Sequence, residues 1–254
     1  MRRDVRALLR RPLVVAPMAG GPSTPSLVAA AAEAGALGML AGGYKSAGAV
    51  IAEIGAVRGS TSEAFGVNLF VPGSPSSAPD LVEAYVRSLA VEADEVGATC
   101  GEAVWDDDHF EEKLNAVVAA APALVTFTFG CPKADAVSAC HAAGSAVAVT
   151  VTSAEEARWA ADAGADALSV QGVEAGAHRG TFVNDDRPGQ DMGLLALMAD
   201  VARVTDLPQI AAGGIVDPSQ VRAVLAAGAL AAQCGTAFLR CPESGAHPAH
   251  KDAL

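Results

Sequence analysis

The sequence predicts an α/β protein of the (β/α)8-barrel class, and three observations lead there. An alanine-rich helical segment meets a glycine and then an apolar run in AAEAGALGML (31–40), CHAAGSAVAV (140–149), AADAGADALS (160–169) and VLAAGALAAQ (224–233), so one helix-to-strand joint recurs along the chain. Short, near-continuous apolar runs alternate with helical patterns, as the strands of a helix-covered parallel sheet do. Eight such runs fit within 254 residues, the ordinary size of this barrel. An open doubly wound sheet is the alternative arrangement of the same elements.

The first strand is read at 13–18 (LVVAPM). Thr24 and Pro25 supply an N-cap and a first helical position before SLVAAAAEA, and Gly35 closes that helix as a C′ residue. Strands follow at 38–42 (GMLAG) and 65–71 (FGVNLFV). The stretch 72–123 is longer than an ordinary crossover. It opens with PGSPSSAPD, continues as two helical segments and is broken by CGEAVWDDDHF, so it reads as an elaborated third βα unit roofing the pocket. Strands at 124–129, 146–151, 167–171, 209–213 and 232–237 complete the set, with Gly144, Gly164 and Gly228 repeating the role of Gly35. Beyond Ala237, CPESGAHPAHKDAL reads as loop. The expectation is one domain over 1–254, a (β/α)8 barrel lacking the eighth helix and a C-terminal continuation.

Composition narrows the function. With 51% hydrophobic residues the chain buries a substantial core. A net charge of -12 repels phosphate backbones and anionic membrane surfaces, and no basic stripe or aromatic ladder offsets it, so neither nucleic acid nor membrane is an expected partner. Five cysteines without CxxC spacing argue against a disulfide framework or a zinc site. Arg10 and Arg11 follow Leu8 and Leu9 closely, and Pro17 interrupts the next apolar run, so no signal-peptide core forms. A cytoplasmic location is expected.

In such barrels the chemistry sits at the C-terminal strand ends. Gly213, Gly214, Gly235 and Thr236 follow the seventh and eighth strands, where glycine lets backbone N–H groups approach a phosphate; tight turning alone is the plainer explanation of any single one. Asn68 and Gln171 are amides inside apolar strands and need hydrogen-bond partners, either neighbouring backbone and water or a flat heteroaromatic ligand. Phosphate on one side and amides on the other suit a flavin mononucleotide lying across the mouth.

His178 lies in SVQGVEAGAHRGTF, seven residues past Gln171 on a glycine-rich loop above that pocket. An imidazole titrates close to neutral pH, so it can take a proton from a weak carbon acid or, charged, hold an anion. Arg179 would add positive charge. Asp106, Asp107, Asp108 and His109 precede a helical segment and are explained by capping and solvated N-terminal charge rather than by a metal. Cys131 is placed as a nucleophile would be, but no signature supplies its base, and Lys133 faces either the mouth or water.

The motifs APMAGG (16–21), GVNLF (66–70), QGVEAGAHRG (171–180), AAGGI (211–215) and QCGTAFL (233–239) resemble, in order, those of the nitronate monooxygenase family, formerly grouped as 2-nitropropane dioxygenases. The resemblance implies an FMN-bound TIM barrel without a metal. It implies oxidation of alkyl nitronates such as propionate 3-nitronate, small anions, by molecular oxygen to carbonyl products. Residue by residue, His178 matches the active-site histidine. Asn68, Gln171, Gly176, Gly213, Gly214, Gln233, Gly235 and Thr236 match flavin contacts, and the backbone of Ala16, Pro17, Met18 and Ala19 is expected near the flavin ring. The expected departure is at the C-terminal end, from which family members contribute further pocket residues. FMN-dependent enoyl-acyl-carrier-protein reductases and NADH:quinone reductases share much of the pattern, so an NAD(P)H-dependent flavin reductase is the alternative. A barrel that binds without catalysing is the third reading, opposed by Asn68, Gln171 and both glycine loops.

Overall fold

The computed structural model describes residues 4–183 and 191–254. Its strands are β1 (Leu13–Val15), β2 (Leu37–Ala41), β3 (Phe65–Phe70), β4 (Leu124–Thr128), β5 (Ala146–Val151), β6 (Ala167–Gln171), β7 (Gln209–Ala212) and β8 (Ala231–Cys234). All pair in parallel and in chain order, and β8 pairs back onto β1 through Leu13–Ala232 and Val15–Cys234. That closure rules out the open sheet, which would leave two edge strands.

The helices are α1 (Pro25–Glu33), α2 (Ala47–Ser60), α3 (Pro79–Ser88), α4 (Ala90–Glu95), α5 (Phe110–Ala120), α6 (Ala134–Ala142), α7 (Ala154–Asp162), α8 (Leu194–Val201), α9 (Pro218–Ala226), α10 (Thr236–Leu239) and α11 (Pro248–Ala253). Local chemistry starts and stops them. Thr24 Oγ1 accepts from Leu27 N at 3.0 Å, and Pro25 sits where no backbone donor is needed. The four joint glycines run from φ +87° at Gly35 to +102° at Gly228, a conformation glycine takes without a Cβ penalty. Between β3 and β4 stand α3, α4 and α5. The first two bury no residue, whereas α5 buries Phe110, Lys113, Leu114 and Val117.

Two expectations change at the C-terminal end. β8 stops at Cys234 rather than Ala237, because Gly235, at φ -107° and ψ -71°, already turns the chain into α10. The following segment is not all loop: His247 caps α11 by accepting from Ala249 N at 3.2 Å. It is also anchored, since Thr24 Oγ1 donates to Glu243 O at 2.6 Å and Gly245 N to Pro22 O at 3.2 Å. The eighth βα unit is therefore two short helices laced to the loop after β1.

Alternation along each strand sorts side chains between two layers. Leu37, Met39, Leu124, Ala146, Ala148 and Ile210 form one buried cluster inside the barrel, joined by Val5. Their strand neighbours Leu40, Val67, Val125 and Phe127 pack outward with residues of α2 and α5. Carried forward, the inward parity reaches Asn68, Thr126, Thr128, Thr150, Ser169, Gln171 and Gln233. The interior is thus apolar at the base and polar at the mouth. Among the described residues no helix is long and apolar enough to cross a membrane.

Candidate active site

The loops after β6, β7, β8 and β1 press together on one side of the mouth, and glycine permits it. A Cβ on Gly213 would stand 3.1 Å from Ala175 N and Gly172 O, and one on Gly214 would stand 2.9 Å from Glu174 Cβ. Gly176 lies 3.3 Å, by the same measure, from Thr236 Oγ1, whereas a Cβ on Gly235 would make only ordinary contacts with Ala16 Cβ at 3.5 Å and Met18 Sδ at 3.7 Å. Ala16 N donates to Cys234 O at 2.9 Å and Met18 N to Ser23 Oγ at 2.9 Å, fixing the turn that carries Pro17 and Ala19. Gln233 sits between Val14 and Ala212 in the sheet register. Among the described residues no backbone carbonyl accepts from the N–H groups of Gly214, Gly235 or Thr236. Both Glu174 oxygens accept from Leu194 N at 3.0 Å, so this carboxylate caps α8, whose own N-cap, Gly193, has no side chain to do so.

The floor is a ladder of hydroxyls. Buried Asn68 donates from Nδ2 to Thr126 Oγ1 at 2.9 Å and Thr128 Oγ1 at 3.0 Å, and the Thr128 hydroxyl shares a 3.0 Å bond with that of Thr150. Next along, Ser169 Oγ is buried with no hydrogen-bond partner among the described residues. Leaving such a group unsatisfied costs about 1–3 kcal/mol.

Above the floor, the His178 loop is clamped by its own strand end. Gln171 Nε2 donates to His178 O at 3.1 Å and Gln171 Oε1 accepts from Gly180 N at 2.6 Å. Arg179 donates to Gln171 O at 2.6 Å and its Nε lies 3.6 Å from Asp191, so its charge is directed into the loop's own support. Buried Glu156 accepts from Thr181 Oγ1 at 3.0 Å and Phe182 N at 2.7 Å. The imidazole of His178 is left exposed, edge-on to Phe129 with ring centroids 6.1 Å apart.

Phe129 begins a feature that sequence reasoning missed. It packs edge-on to Phe70 at 4.8 Å, and Phe70 to Tyr44 at 5.5 Å, so an aromatic row runs from His178 around to the loop after β2. Nothing in the sequence announces it. The hydroxyl floor did leave a signal: TFT (126–128), TVT (150–152) and SVQ (169–171) place polar residues at every second position where β4, β5 and β6 end.

Other candidates fall away. Burial raises the Cys131 thiol's pKa, with Asp162 adding to the effect, which disfavours the thiolate a nucleophile needs. Lys133 is exposed at the start of α6. Capping does not explain Asp108, which is a correction: α5 has His109 as N-cap with no side-chain bond, while Asp108 is 2.5 Å from the ammonium of buried Lys113. Asp106 and Asp107 bond locally to Asp108 N and His109 N. Among the described residues no group of three or more His, Cys, Asp or Glu side chains gathers as metal ligands would.

A closed parallel barrel with a histidine over a polar mouth defines a (β/α)8-barrel enzyme working at its C-terminal strand ends. The comparisons carry this further. The family model for nitronate monooxygenase matches residues 4–254. Nitronate monooxygenase of Pseudomonas aeruginosa is 40% identical over 250 residues, covering 97% of this chain and 71% of that protein. The structure of nitroalkane oxidase from Streptomyces ansochromogenes is 45% identical with a TM-score of 0.94, covering 99% of this chain and 72% of that one. FabK from Thermotoga maritima is 28% identical with a TM-score of 0.74, covering 99% and 67%. The chain belongs to the nitronate monooxygenase family, whose members are oxidoreductases.

Proposed function

We propose that this protein oxidises alkyl nitronates of the propionate 3-nitronate type to carbonyl products with molecular oxygen, using FMN. One observation carries the reading: a solvent-open imidazole, His178, is held over a polar barrel mouth by a loop that Gln171 and Glu156 fasten in place.

The residues present fit the cofactor. Gly214, Gly235 and Thr236 offer backbone donors that no carbonyl among the described residues uses, and would hold its phosphate. Gly176 and Gly213 leave the adjoining wall free of side chains. Ser169 Oγ is a buried hydroxyl in want of a partner. With Asn68 Nδ2 committed to threonine hydroxyls, its Oδ1 is the atom left to accept from a ring N–H. Gln171, Gln233 and the backbone from Ala16 to Ala19 complete the ring's surroundings. FMN bound there supplies electron transfer from the substrate and onward to oxygen.

The chain's own part is to bind and orient. As imidazolium, His178 attracts the nitronate anion in an otherwise acidic protein; as neutral imidazole, it removes the α-proton of a neutral nitroalkane to form that anion. Phe129 fixes the ring's edge and the clamped loop limits its travel, which favours one productive orientation.

The test is an anaerobic absorbance titration of the flavin with propionate 3-nitronate and, separately, NADH. Reduction by the nitronate alone is expected. Reduction by NADH alone replaces the reading with an NAD(P)H-dependent flavin reductase, and protein that takes up no FMN leaves a binding barrel. In parallel, His178→Asn should keep its flavin and slow turnover of neutral nitroalkanes by about 10²- to 10⁴-fold, with a smaller loss on preformed nitronates.

A further inference from the structure

Tyr44 combines three features that do not usually go together. Its backbone is left-handed, at φ +62°, a conformation bulky residues avoid. Its side chain is largely in solvent, at 69% exposure, so burial of the ring does not account for the conformation. Its loop is nonetheless fastened from beneath: Tyr44 N donates to Asp108 Oδ1 at 2.9 Å, Lys113 Nζ donates to Gly42 O at 3.0 Å, and the Lys113–Asp108 ion pair joins the two contacts. Lys113 is only 1% exposed. A buried pair of this kind is weak evidence for stability, and its better-attested use is to specify one arrangement over others. Here the arrangement it specifies is the loop after β2.

The fastened loop presents a ring to the mouth. Phe70 has inward parity on β3 and lies so close over Gly43 that a Cβ there would come 2.1 Å from Phe70 Cε2. Tyr44 meets the edge of Phe70, Phe70 meets Phe129, and Phe129 meets His178. An apolar wall therefore begins at the imidazole and leads outward from it. An anion with a hydrocarbon tail matches that order, its head at His178 and its tail along the rings.

We propose that Tyr44 is a specificity-determining residue: its ring ends an aromatic wall that takes the alkyl chain of the substrate, and the Lys113–Asp108 pair holds it in position. This rests on the nitronate reading for the head group and adds the tail. The variant Tyr44→Gly removes the ring while accepting the local backbone, and Tyr44→Phe retains the ring.

The experiment compares kcat/KM for the nitronates of 1-nitrohexane and nitroethane in the FMN-loaded enzyme. It also measures calorimetric binding of hexanoate and propionate, which carry a comparable head charge and do not react. The preference for the longer chain should fall about tenfold in Tyr44→Gly, roughly the contribution of two methylenes losing their cover. Tyr44→Phe should restore it. Asp108→Ala should speed deuterium exchange at the Tyr44 amide and lose part of the preference. A wild-type preference that is absent, or that survives Tyr44→Gly in both assays, overturns the proposal. Should the nitronates fail as substrates while hexanoate binding still depends on Tyr44, the functional reading fails and the tail site stands.

Discussion

The two sides of the barrel mouth meet the same backbone demand with opposite residues. After β7 the chain takes positive φ at Gly213 and Gly214; after β2 and β4 it takes it at Tyr44 and Phe129. Glycine does this freely, whereas an L-residue in that region loses roughly 1–2 kcal/mol. The difference follows from what each side needs. Around β6 and β7 two backbones lie against each other, so a side chain there is an obstruction. Around β2 to β4 a ring must be aimed, so the side chain is the purpose and the strain is tolerated, with the Lys113–Asp108 pair supporting it.

The largest effect that sharpens this contrast is expected from the support. Asp108→Ala leaves a buried ammonium without its counter-charge and should lower unfolding free energy in urea by about 3–5 kcal/mol. A loss near zero would mean that the pair supports nothing. Next comes the glycine side: Gly214→Ala forces a Cβ into φ +66° and to 2.9 Å from Glu174 Cβ, and about 1–2 kcal/mol should disappear in the same assay. The smallest change has the opposite sign. Tyr44→Gly should gain about 0.5 kcal/mol by releasing strain against the extra flexibility of glycine in the unfolded chain; a clear loss would show that the ring itself holds the fold together and would erase the contrast.

The same division governs what the sequence discloses. Strand positions were readable because buried parallel strands are apolar runs, and six of the eight match closely; the first was overextended by three residues because Ala16, Pro17 and Met18 continue its apolar run after the strand has ended, and the eighth by three because TAFL is as apolar as a strand and only the turn at Gly235 separates them. Gly213 and Gly214 were readable since glycine marks permission for unusual backbone. His178 was readable because its loop follows a strand end. Tyr44 and Phe129 were not, since a bulky residue carries no mark of positive φ. Lys113 directly follows Glu111 and Glu112 with nothing in the sequence to mark it as buried, and its partner Asp108 reads as a cap. Contacts such as Asp108 to Tyr44, 64 residues apart, exist only after the barrel has closed. Gln171 shows a third case. Its need for partners was plain, but both ends of its amide bond to the loop it introduces.

The bond from Asp108 to Tyr44 has an evolutionary consequence. Asp108 ends the stretch between β3 and α5, whose helices α3 and α4 bury nothing, so that stretch can be lengthened, shortened or exchanged with little effect on the barrel. Whatever replaces it inherits or abandons the hold on Tyr44. Descendants of this chain can thereby change the wall that Tyr44 ends by recombining a peripheral cassette, with the glycine loops and the histidine inherited unchanged.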